Sequence, residues 1–258
     1  VAVGQDAGVA VTTGIQNTIV GGLAGDAVTT GSYNVILGTN AGGGVTTGDQ
    51  NVIIGQGTNA AALTGNQNTV VGDSAGQAMT SGAQNTLIGG LAGDALLAAA
   101  DNVAVGFEAL STETGGQNNV AVGPRALKAQ VSSSGNIYNT AVGANAGTAV
   151  TSGVQNTLIG GLTGDALTSG HSNVALGYVA LSTDTLGFSS TAIGFQSLAN
   201  QNFTTATNTF NVAVGHNAGV NVTTGTQNVL IGASAGKNLN TGPNNVIVGF
   251  TAGGHSVG

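Results

Sequence analysis

A five-residue pattern, Asn-[Val/Thr]-apolar-apolar-Gly, recurs with its Asn at 17, 34, 51, 68, 85, 102 and 119, a constant spacing of 17 residues. It resumes at Asn139, Asn156, Asn173 and Ser190, and again at Asn211, Asn228 and Asn245. Val1-Ala2-Val3-Gly4 is one more copy, whose Asn would precede the first residue. Insertions of three residues before Asn139 and four before Asn211 disturb the register, near 132–138 and 202–210. A short β-branched run closed by Gly reads as a strand entering a turn. Seventeen residues are too few for a helix-pair repeat of about 33–47. The pattern predicts an all-β fold, a parallel β-solenoid of about fifteen 17-residue coils, with residues 1–258 as a single repeat domain. At the usual strand spacing the coils would stack into a rod on the order of 70 Å long.

Within each strand the place after Asn is Val or Thr, and the third place is Val, Ile or Leu. Between them stand Ala2, Ile19, Ile36, Ile53, Val70, Leu87, Ala104, Ala121, Ala141, Leu158, Ala175, Ala192, Ala213, Leu230 and Ile247, apolar in every copy. Side chains alternate along a strand, so this middle column faces away from the two that flank it. A strand apolar on both sides is covered on both sides. The flanking columns are therefore assigned to the coil's own core, and the middle column, from Ile19 to Ile247, to an inter-chain face. Self-association follows, with a three-fold bundle as a natural geometry for rods. The competing expectation is a broad internal core that takes both sets.

The Asn column (Asn17, Asn34, Asn51, Asn68, Asn85, Asn102, Asn119, Asn139, Asn156, Asn173, Asn211, Asn228 and Asn245) is expected to form a structural amide ladder, as stacked amides do in cross-β assemblies. The Gly four places later permits a positive-φ corner or a close backbone approach. Most coils carry an apolar residue eleven places after Asn, such as Val28, Met79 or Leu167. In four coils this place is Glu113, Gln130, Asp184 or Gln201, and Leu110, Leu127, Leu181 or Leu198 stands three places earlier, as if one inward plug replaced another. Gly-Gly-Leu-Ala-Gly-Asp at 21–26 returns at 89–94 and, with Thr for Ala, at 160–165, which marks duplication of four-coil blocks. Both insertions follow the second variant coil of a block, and a recognition loop, if present, belongs there.

Composition narrows the function. Charged residues are 5% of the chain, where about a quarter is usual. The most apolar stretch, Leu87 to Val105, is broken by Gly89, Gly90, Gly93, Asp94, Asp101 and Asn102, so no spanning helix is expected. Disorder is a poor fit to 41% periodic apolar residues and a net charge of -7. Only Arg125, Lys128 and Lys237 are basic, which argues against nucleic acid as a partner. The lack of an initiator Met, leader or anchor reads as a fragment or mature internal region.

Catalytic and metal chemistry find little support, so no enzyme activity, cofactor or metal is expected. His171, His216 and His255 fall at different phases of the coil, and there is no Cys to complete a zinc set. Asp26, Asp94 and Asp165 share a phase but lie four coils apart, about 19 Å, too far for paired-carboxylate catalysis. Lys237 occupies that phase in a later coil. Stacked Thr12-Thr13, Thr29-Thr30, Thr46-Thr47 and Thr223-Thr224 raise an ice-binding solenoid as an alternative. Adjacent Thr on a strand point opposite ways, however, and a Gly follows each pair, which looks like a turn. Neither end shows a polar cap, so a self-assembling extracellular filament subunit is a further alternative.

Asn119-Val120-Ala121-Val122-Gly123 and Asn139-Thr140-Ala141-Val142-Gly143-Ala144-Asn145-Ala146-Gly147 resemble the head repeats of YadA-like trimeric autotransporter adhesins, and related repeats of phage tail fibres and surface proteins. The resemblance runs along essentially the whole chain. It implies a left-handed β-roll packed as a homotrimer, extracellular, on a cell surface or virion. The function it implies is a structural or adhesive fibrous module, acting as spacer and attachment surface, with itself and a host-surface receptor or glycan as partners and no membrane insertion. The 17-residue coil is longer than that family's roughly 14-residue repeat, so an extra turn must be accommodated.

Overall fold

In the computed structural model, which describes residues 1–59 and 61–253, each copy of the pattern is a strand of two or three residues followed by turns. Gly at the fifth place ends the strand. Gly21 has a φ of +138°, and a Cβ there would stand 2.3 Å from the carbonyl oxygen of Gly38 in the next coil. A side chain fits neither that dihedral nor that approach. A second glycine column, fourteen places after Asn, brings coils equally close: a Cβ on Gly153 would meet the carbonyl oxygen of Gly170 at 2.3 Å.

The chain forms two compact units, Val1–Arg125 with Val131–Asn136, and Ala126–Gln130 with the chain from Ile137 onward. The first unit stacks β1 (Ala2–Val3), β2 (Thr18–Val20), β3 (Val35–Leu37), β4 (Val52–Ile54), β5 (Thr69–Val71), β6 (Thr86–Ile88), β7 (Val103–Val105) and β8 (Val120–Val122). All neighbours are parallel and in register, Ile19 opposite Ile36, Ile36 opposite Ile53, and so on to Ala104 opposite Ala121. The second unit stacks β9 (Thr140–Val142), β10 (Thr157–Ile159), β11 (Val174–Leu176), β13 (Thr191–Ile193), β15 (Val212–Val214), β16 (Val229–Ile231) and β17 (Val246–Val248) in the same way. There β12 (Gly187–Phe188) and β14 (Thr207–Asn208) form a separate parallel pair, because the 202–210 insertion returns beside the preceding coil. Among the described residues there is no helix, and the parallel β-solenoid read from the sequence is the fold.

The core overturns one expectation. Ile19, Ile36, Ile53, Val70, Leu87, Ala104, Ala121, Ala141, Leu158, Ala175, Ala192, Ala213 and Leu230 are at most 2% exposed within the single chain. They fill the coil and form no inter-chain face; Ile247, in the last described coil, is half-buried on the same side. The columns that flank them are the ones turned to solvent. The physical reason lies one residue upstream. Alternation must be counted from Asn, whose amide is buried, so the second residue after it shares the inward side.

Opposite this column stand the small Ala24, Ala41, Ala75 and their equivalents, and plugs such as Val28, Val45, Met79 and Leu96, all fully enclosed. Each fully buried Leu or Val contributes about 1.5–3 kcal/mol of transfer free energy. In the four variant coils Leu110, Leu127, Leu181 and Leu198 do point inward, at φ values of 49–54° that other coils give to Gly. The place eleven after Asn is not turned outward in exchange. Glu113, Gln130, Asp184 and Gln201 remain 0–1% exposed, so those coils carry a polar interior.

The coil that starts at Asn51 departs from the others. Thr64 donates its backbone N–H to Thr80, sixteen residues on, where Thr29 and Thr46 reach seventeen to Thr46 and Leu63. The slip goes with Leu63 inside, twelve rather than eleven places after Asn, and the Asn59 amide of the same coil is enclosed without a partner.

Adjacent glycines test the close approach. Gly21→Ala is expected to cost about 3 kcal/mol or more, from left-handed strain plus overlap. Gly22→Ala, where an added Cβ meets nothing within 4 Å, is expected to stay within about 0.5 kcal/mol of wild type. Urea unfolding midpoints of the two variants measure the difference.

Candidate functional site

Burial of an amide is tolerated only when its donors and acceptor are all used. The Asn column meets this requirement in two directions. The Nδ2 groups of Asn17 through Asn102, Asn139 through Asn173, Asn211 and Asn228 donate across the coil interior to the carbonyl oxygen fourteen residues on, from Asn17 to Gly31 at 2.8 Å to Asn228 to Gly242 at 3.0 Å. Within each unbroken run, Oδ1 accepts the backbone N–H at the next ladder place, at 2.9 Å for Asn34 onto Asn17 and 3.0 Å for Asn173 onto Asn156. One side chain thus closes its own coil and grips the next. From Asn68 to Asn119, Nδ2 also donates to the preceding Oδ1 at 3.0–3.3 Å.

This ladder has a polarity that the insertions interrupt and buried glutamines restore. Asn211 Nδ2 donates to Gln201 Oε1 at 2.8 Å, and Gln201 Nε2 donates to Asp184 Oδ2 at 2.6 Å and to Ser190 Oγ at 2.8 Å. Ser190, which stands where Asn is expected, keeps the backbone link to Asn173 Oδ1, while its hydroxyl pairs with that of Thr209 and accepts from Gln201. Asn139 Nδ2 likewise donates to Gln130 Oε1 at 2.9 Å. Burial pushes the Asp184 carboxyl above its ordinary pKa, opposed by hydrogen bonds from Gln201 and the backbone of Phe203, Gly187 and Thr185.

Both buried acids hold an insertion. Glu113 Oε1 accepts backbone N–H groups of Thr114, Gly115, Gly116 and Ser132 at 2.8–3.1 Å. Asp184 Oδ1 accepts those of Gly187 and Phe203 at 3.1 and 3.0 Å. Sequence reasoning saw at Glu113, Gln130, Asp184 and Gln201 only the loss of one inward plug to a Leu three places earlier, and gave the polar residues themselves no role. Their signal was present all the same, since acids are rare in this chain and these two fall at an inward phase.

The remaining candidates do not converge. Among the described residues no three His, Asp or Glu side chains come together to hold a metal. His171 stacks on Phe188 with ring centroids 4.3 Å apart, and His216 stacks on Phe195 at 5.0 Å, with Tyr178 at 6.0 Å on the other side of Phe195. His255 lies outside the described residues. The threonines at the twelfth place are engaged too: Thr12, Thr29, Thr46, Thr80, Thr151 and Thr168 donate their hydroxyls to carbonyl oxygens of the next coil at 3.0–3.3 Å. Asp165 has one carboxylate oxygen enclosed without a hydrogen bond, and burial raises its pKa. A cavity of about 220 Å³ opens in the first coil, lined by Val1, Ala2, Val11, Asn17 and Ile19 among others. No helix among the described residues is long and apolar enough to cross a membrane.

Two predictions follow from the polar interior. Asn156→Ala strands a backbone N–H on Asn173 and a carbonyl on Gly170, and is expected to cost about 2–4 kcal/mol. Asn156→Asp is expected to cost at least as much, because a carboxylate has no proton for Gly170; urea denaturation of both variants checks this. For Asp165 the folded pKa lies above the ordinary 3.8, so the folded state binds the proton more tightly than the unfolded chain. The ionised carboxylate therefore opposes folding at neutral pH, and that opposition fades as pH falls through the raised value. Asp165→Asn should be more stable than wild type at about pH 7 and lose its advantage at about pH 3.5, as read from unfolding midpoints.

No protein-family model, curated protein or solved structure matches the chain.

Proposed function

We propose that the chain is a structural and adhesive repeat module of an extracellular fibre, a cell-surface adhesin or phage tail fibre, that acts as spacer and attachment surface. In this reading the coils wind as a left-handed β-roll and the module works as a homotrimer. The amide ladder is the observation that carries it. Asn side chains in successive coils are spent on cohesion between coils, so drawing one coil from the next must break backbone and side-chain hydrogen bonds together. Such a stack transmits load and sets distance by its number of coils. The two acid-held insertions are its least regular outer segments and the natural place for attachment.

Immunogold electron microscopy of the intact cell or particle that carries the protein, with antibody raised against this chain, tests the reading. Gold along projecting fibres is the expected result. Gold confined to the cell interior would sink it.

A further inference from the structure

The two units differ in chemistry. The first holds eight of the ten acids and one of the three bases, while the second holds two of each. Seven of the nine Phe and Tyr residues lie in the second unit. From Ala166 to Gly236 the only acid, Lys or Arg is Asp184, and it is 0% exposed. That span shows solvent amides, hydroxyls and rings, where about a quarter of residues are ordinarily charged. Tyr178, Phe195 and His216 form a strip on it, one ring per coil, at the place after the Gly that ends each strand. Their centroids are 6.0 and 5.0 Å apart. Tyr178 is 53% exposed, Phe195 is 41% exposed, and His216 is exposed as well. The coil stack does not require these rings, because the same place holds Gly22, Thr39, Gln56 and Asp73 in the first unit and Ala233 in the second. Phe210 is also half exposed, at the other end of β15 from His216, where Gln50, Gln67 and Gln227 stand in other coils. Exposed rings that packing does not demand are a mark of recognition.

We propose that this uncharged aromatic flank of the second unit binds an uncharged polysaccharide. Sugar rings carry apolar C–H faces bordered by hydroxyls. The C–H faces suit exposed aromatic carbon, and the hydroxyls suit neutral polar groups such as Thr204, Thr205 and Asn208, exposed on the insertion that ends at Phe210. Charge decides against the other occupants. A sulfated, sialylated or phosphorylated partner calls for Lys or Arg, and none stands between Ala166 and Gly236. A basic peptide calls for carboxylates, and the one in that span is enclosed. Rings already stacked on one another lose little further freedom when a ligand covers them, which favours binding.

This names a partner class for the attachment role proposed above and rests on that role, but its test is separate. The full chain is run through native gels that contain dextran, mannan, galactomannan or xyloglucan, and through one that contains heparin. At least one of the uncharged polymers should retard the wild-type chain in proportion to its concentration, and heparin should not. The pair Tyr178→Ala and Phe195→Ala should weaken the retardation by about 10-fold or more. If circular dichroism shows that the pair does not fold, Phe210→Ser, outside the ring stack, decides the matter with a loss of about 3-fold. Tyr33→Asn, at an exposed ring of the first unit, should leave the retardation unchanged. No retardation by any uncharged polymer, retardation by heparin alone, capture by phosphatidylcholine vesicles alone, or folded variants retarded as strongly as wild type would overturn the proposal. Each of these results would leave the gold-labelling test of a surface fibre standing on its own.

Discussion

One hydrogen bond organises the molecule: within each unbroken run, the backbone N–H of a ladder Asn onto the side-chain oxygen of the Asn one coil before. It forces the amide inward, and strand alternation then dictates the rest. The second residue after Asn joins the core, and the first and third face out. The same amide, donating to the carbonyl fourteen residues on, draws the far turn against the strand. That closure keeps the coil thin enough for Ala to suffice opposite the strand. Glycine at two corners lets neighbouring coils sit within this reach.

Because the oxygen of each amide is committed to a backbone N–H, no amide in the ladder can turn over to suit a neighbour. Donors therefore point one way through a run such as Asn245, Asn228, Asn211 and Gln201. A chain of donors needs a final group that only accepts, and an ionised carboxylate is the side chain that does so. Asp184 stands there. A protonated carboxyl would set a donor against the Gln201 amide. Burial nevertheless favours that protonated form, and the backbone hydrogen bonds around Asp184 resist it. Glu113, in the other unit, spends one carboxylate oxygen on four backbone N–H groups.

The repeat, its parallel stacking and the amide column were legible in the sequence because each is a statement about period. Which side of the strand faces in is a statement about phase, and there the reading failed. An apolar residue at every middle position fits either side. Only the polar Asn, which cannot be buried without partners, breaks the tie, and it lies outside the three residues being compared. Gln130 and Gln201 were missed for a related reason. They restore hydrogen bonds at interruptions of the register, and a period cannot describe its own interruptions. The left-handed backbone at Leu110 and Leu198 was also hidden, since Leu gives no hint of a dihedral usually left to Gly.

The insertions show what it takes to add anything other than a whole coil. A 17-residue addition carries its own Asn and extends the ladder at once. Three or four extra residues move the next Asn out of reach of its predecessor, and the chain then needs a buried glutamine and a nearby carboxylate to repair the gap. Descendants of this chain can therefore vary in reach almost freely by gaining or losing complete coils. Changes of intermediate size require several coordinated replacements in the interior. Length is inherited in discrete steps of about 4.8 Å, the rise of one coil.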